Sequence, residues 1–105
     1  MHSLFEKTAD FRHSPKAEAK YGPVGLWDVS EVTSMEDLFY YYENFNEDIS
    51  AWDVRRAEDL DYMFYRASSF NQSLGAWAVR PGANTEEMFA DATAFELPAN
   101  APWYT

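Results

Sequence analysis

A chain of 105 residues, 47% hydrophobic and 18% aromatic, is one small domain with ample material for a core, and not a disordered segment. It has no cysteine, which excludes disulfide staples and thiol chemistry. The formal net charge is −10, split as +1 over residues 1–25 and −11 over the remainder, and so acidic a body repels phosphate backbones and anionic lipid surfaces.

In chain order, the leader comes first. Leu4, Phe5, Ala9 and Phe11 predict a short helix, and Pro15 to Tyr21 a second with proline near its first turn. Gly22-Pro23 ends it. The opening residues contain no signal-peptide-like stretch, and no apolar run approaches the ~20 residues that span a bilayer. From here the chain repeats. Trp27, Trp52 and Trp77 stand 25 residues apart, and so do Val29/Val54/Val79, Phe39/Phe64/Phe89 and Phe45/Phe70/Phe95. A period in this range signals stacked supersecondary units.

Within one unit, Ala51-Trp52-Asp53-Val54-Arg55 alternates apolar and polar, the period of a strand. Leu60, Met63, Phe64 and Ala67 then follow at i, i+3, i+4 and i+7, which predicts one apolar helix face. Met35, Leu38, Phe39 and Tyr42 repeat that face in the first copy, and Thr85, Met88, Phe89 and Ala92 in the third. Ser34, Asp59 and Asn84 precede the faces as N-caps, with Asp37 and Glu87 at the capping-box position. In the return loop, Asn46 and Asn71 share a column and are expected to hydrogen-bond the backbone of a neighbouring coil. Near the end, Pro102 suits a sheet edge, and Trp103 comes one residue late for the period, so no fourth coil is expected.

The predicted fold is α/β: a short right-handed, leucine-rich-repeat-like solenoid of three strand–helix coils with a helical N-terminal cap. Residues 1–25 form the cap and lead-in. Residues 26–105 hold three repeats, about 26–50, 51–75 and 76–100, and a short C-terminal cap.

Catalytic chemistry finds no foothold. The only histidines, His2 and His13, lie in the leader, and the four glycines form no phosphate-cradling loop. No catalytic, cofactor or metal residues are assigned. Two acidic columns, Glu36/Asp61/Glu86 and Asp28/Asp53, raise calcium as a third functional reading; the favoured explanation of the first is charge compensation at helix starts. The sharper signal is aromatic. Tyr40, Tyr41, Tyr62, Tyr65 and Arg66 fall off the buried faces and gather into one patch on stacking, and Tyr and Arg are types enriched in interface centres.

The strings Trp27-Asp28-Val29-Ser30-Glu31-Val32-Thr33-Ser34-Met35 and Phe45-Asn46-Glu47-Asp48-Ile49-Ser50-Ala51-Trp52-Asp53-Val54 resemble the BspA-like leucine-rich-repeat surface proteins. Their repeat runs W-D-V-S-x-V-T-x-M-x-x-M-F-x-x-A-x-x-F-N-x-D-I-S. The resemblance covers about residues 17–97 and weakens in the third copy, at Ala78, Gly82 and Glu96. It implies a parallel sheet on one side, helices on the other, and no catalytic residues. The expected function is a non-enzymatic protein-interaction or scaffold module, an accessory subunit docked in a larger assembly. The family's occurrence in algae makes an organellar or photosynthetic complex one setting. The alternative is a secreted or surface adhesion fragment.

Overall fold

The protein is described by a computed structural model over residues 22–104. The two helices predicted for the leader, with His2 and His13, lie outside the described residues. Among the described residues the one helical element is a single 3-10 turn, Val24–Leu26. The only strand-like pairings among the described residues are two isolated parallel bridges, Ser34 to Asp59 and Asp59 to Asn84. The strand–helix solenoid expected from the sequence is therefore not the fold. Neither the helices over the Met35, Leu60 and Thr85 faces nor the strand at Ala51–Arg55 forms.

What replaces the helix is a run of tight turns. In the second copy the N–H groups of Met63, Tyr65 and Ala67 donate to the carbonyls of Leu60, Tyr62 and Phe64, each three residues back, at 3.2, 3.2 and 2.9 Å. The alternate N–H groups leave the coil. Those of Leu60, Tyr62, Phe64 and Arg66 donate to Asn84, Glu86, Met88 and Ala90 of the third coil at 2.8–2.9 Å. Likewise Met35, Asp37, Phe39 and Tyr41 donate to Asp59, Asp61, Met63 and Tyr65 of the second. An α-helix would spend all these donors internally, four residues back.

The dihedrals exclude a helix as well. Asp37, Tyr41, Tyr62, Arg66, Glu87 and Asp91 all have positive φ, between 52° and 62°. Each sits third in a turn, where a type II turn needs that sign. None is glycine, so each is held in the left-handed region at a cost of roughly 1–2 kcal/mol. We therefore expect Glu87→Gly to stabilise the protein by about 0.5–1 kcal/mol. In a helix interior the same change would cost about 1 kcal/mol. The sign of the shift in urea midpoint separates the two backbones.

The inward pattern survives the change of backbone. Met35, Leu38, Phe39, Leu60, Met63, Phe64, Ala67, Met88, Phe89 and Ala92 are all buried. Consecutive turns bring i, i+3, i+4 and i+7 to the same side, as a helix does. Two of the three expected cap residues, Ser34 and Asp59 but not Asn84, keep their local chemistry but open turns. Asp59 Oδ1 accepts the N–H of Asp61 at 3.0 Å, and Ser34 Oγ that of Glu36 at 3.5 Å.

The core is a set of ring stacks along the repeat axis. Phe39, Phe64 and Phe89 stack at 5.4 Å between centroids, and Phe45, Phe70 and Phe95 at 5.4 and 5.5 Å. Inside each coil the two columns meet face to face, at 4.0, 4.4 and 4.2 Å. A tryptophan row runs beside them: Trp52 to Trp77 at 6.5 Å, Trp77 to Trp103 at 6.2 Å. Each indole N–H in this row reaches back one coil, to the carbonyls of Val24, Ile49 and Leu74. Trp27 instead donates locally to Gly22.

Trp103 extends the row past Trp77 despite its late position. The surplus length is absorbed before it, where the Asn100 N–H closes a wider turn onto Glu96 at 2.8 Å. The asparagine column extends too. Asn46 Oδ1 accepts the Asn71 N–H at 2.8 Å, and Asn71 Oδ1 accepts from Asn100 Nδ2 at 2.7 Å. These side chains join neighbouring coils along an exposed corner rather than a buried one.

Candidate interaction face

The turn run places four outward columns side by side: Glu36/Asp61/Glu86, Asp37/Tyr62/Glu87, Tyr40/Tyr65/Ala90 and Tyr41/Arg66/Asp91. The left-handed residues supply two of them, because a positive φ swings the side chain away from the inward pair that follows. All five residues singled out from the sequence come together here, on the turn-built arc rather than on helices.

Tyr65 is the hub. It stacks on Tyr40 at 5.2 Å and 17°, and meets Tyr41 at 5.6 Å and Tyr62 edge-on at 5.7 Å. Tyr40 and Tyr41 pack edge to face at 4.6 Å. The Arg66 guanidinium lies 5.3 Å from the Tyr41 ring centre and 5.9 Å from that of Tyr65. It is also 3.5 Å from Asp91. Tyr41 and Arg66 are exposed, while Tyr40, Tyr62 and Tyr65 are half-buried. The rings thus cover the coil edge and also present a surface.

Electrostatics favour the protonated form of Tyr40 and Tyr62. The Tyr40 hydroxyl is pushed above its ordinary value by desolvation among the stacked rings, and next by Tyr41. Tyr62 is pushed up first by the Glu86 carboxylate. Arg66 is held more firmly cationic, chiefly by a hydrogen bond to Tyr65. The face is four phenol rings and one guanidinium, bordered by acids. The sequence missed the contribution of the third coil: Ala90, Glu87 and Asp91. Their signal was the shared columns, which carry no aromatic residue there.

The acidic columns do local work. Asp61 Oδ1 accepts the Glu86 N–H at 2.6 Å. Asp28 Oδ1 accepts both the N–H and the hydroxyl of Ser30, which holds its carboxyl below the usual range. Asp53 takes a two-pronged grip from Arg55 at 2.9 and 2.8 Å and is lowered in the same way. Glu36 is pushed up, mainly by the nearby Asp59 carboxylate. Among the described residues no group of three or more acidic or histidine side chains is arranged to hold a metal ion. A concavity of about 430 Å³, open to solvent, is lined by Ser30, Asp53, Arg55 and Arg56. Arg55 and Asp53 neutralise each other inside it. No described helix is long and apolar enough to cross a membrane.

Among known families, the one described as a Mycoplasma protein of unknown function, DUF285, matches over residues 1–105. No curated protein and no solved structure matches the chain.

Proposed function

We propose, for a chain that belongs to the DUF285 family, a non-enzymatic protein-interaction module that docks as an accessory subunit through its tyrosine face. One observation carries this reading: Tyr40, Tyr41, Tyr62, Tyr65 and Arg66 form a single contiguous cluster, with Tyr41 48% exposed. Rigid rings with few rotatable bonds lose little entropy on binding, and Tyr and Arg dominate interface centres. The partner is a protein, since the acidic body disfavours nucleic acid and anionic lipid.

The test is a triple substitution, Tyr40→Ser, Tyr41→Ser and Tyr65→Ser, in the protein purified from its native source with its partner. Loss of co-purification, with the near-ultraviolet tryptophan signal retained, is the expected outcome. Retained association with the same partner would remove this face from the interaction.

A further inference from the structure

The tyrosine column is one ring short. Tyr65 stacks on Tyr40 in the coil before it, but the third coil sets Ala90 in the corresponding place, and no ring of that coil stacks on Tyr65. Glu87 stands three residues before Ala90 and Asp91 directly after it, both exposed and both on left-handed backbone. Glu87 has no ion pair among the described residues, and Asp91 has only the 3.5 Å contact with Arg66. Beside this notch the protein already holds one guanidinium against tyrosine rings, that of Arg66.

We propose that the notch over Ala90 receives an arginine side chain of the partner protein. Its guanidinium lies against the Tyr65 ring, with the Glu87 and Asp91 carboxylates alongside. The proposal rests on the interaction face described above and states what that face recognises. Charge selects a cation, since the body carries −11 over residues 26–105. Shape and hydration select arginine over lysine: a planar, weakly hydrated group stacks on a ring, whereas a compact ammonium keeps its water. A segment bearing arginines would dock with an on-rate that falls as salt rises.

The experiment uses the full chain and a labelled peptide, acetyl-Gly-Ser-Arg-Gly-Ser-Arg-amide, followed by fluorescence anisotropy. The citrulline version keeps the shape and removes the charge. The arginine peptide is expected to bind about tenfold more tightly than the citrulline one, an advantage lost at high salt. Ala90→Tyr should complete the ring column and abolish binding while melting no lower than the parent. Should that variant melt lower, the pair Glu87→Gln and Asp91→Asn leaves every ring in place and is expected to weaken binding about tenfold. Equal affinity for the two peptides, no binding of either, or undiminished binding by Ala90→Tyr or the charge pair overturns the proposal.

The two readings fail separately. If the triple serine protein loses its native partner but Ala90→Tyr keeps it, the face stands and the arginine notch falls. If the triple serine protein keeps the partner, the face itself falls.

Discussion

Replacing Phe64 by alanine is expected to cost about 3–5 kcal/mol. The ring is fully buried at the centre of the stacks. It lies 5.4 Å from Phe39, 5.4 Å from Phe89, 4.4 Å from Phe70 and 6.4 Å from Trp77. Every neighbour is itself pinned in a column, so the site cannot collapse onto the cavity, and the loss falls toward the upper end. A domain of this size has about 5–15 kcal/mol in total, so the loss removes a large share of its stability. Phe95→Ala is the control. That ring is at the end of its column, 9% exposed, with ring partners only at Phe70 and Phe89 among the described residues. Its loss should be clearly smaller. Urea melts of both proteins check the ranking. Equal losses would mean that the middle coil does not depend on both its neighbours, contrary to a nearest-neighbour stack.

Amide hydrogen exchange should differ by about a hundredfold between equivalent positions of the repeats. The Tyr41 and Arg66 N–H groups are bonded to the carbonyls of Tyr65 and Ala90 in the following coil, at 2.7 and 2.9 Å. The equivalent N–H of Asp91 has no acceptor among the described residues, and the same holds for Thr85, Glu87 and Phe89. Along the turn run the stack is polar: the linked peptide units there turn their carbonyls toward the first coil and their N–H groups toward the last, while just before it Glu58 and Asn84 donate the other way, to Thr33 and Glu58. Asp91 is the cleanest probe because it is exposed, whereas Phe89 also lies beneath Tyr104 at 5.1 Å. If the third copy were helical, Asp91 would donate four residues back and exchange slowly. Slow exchange at Asp91, matching Arg66, would refute the turn-built coil.

These two experiments mark what was legible in the residues. Phe39, Phe64 and Phe89 recur at a fixed period, so their stacking follows once the coils are superposed. The same holds for the Trp52–Trp77 pair and for Asn46 bonding to the Asn71 backbone. Tyr40, Tyr41, Tyr62, Tyr65 and Arg66 were legible as a cluster, since columns place them without knowledge of the backbone. The helix over Leu60–Ala67 was misread. Spacing of i, i+3, i+4 and i+7 belongs equally to a helix and to a chain of turns, and the cap residue Asp59 serves both. Left-handed residues usually betray turns through glycine or asparagine, but Tyr41, Tyr62, Arg66 and Glu87 carry no such mark.

By itself the sequence determined which side chains face inward, the 25-residue register in which they stack, and the acidic, tyrosine-bearing outer surface. Only the tertiary structure decided the backbone, the place of Trp103 in the row and the notch at Ala90. The reason lies in the amides. Each N–H from Leu60 to Ala67 can bond within its own coil or to its neighbour, and that choice depends on a carbonyl 24 residues further along the chain. Local sequence places the donor; stacking alone brings the acceptor.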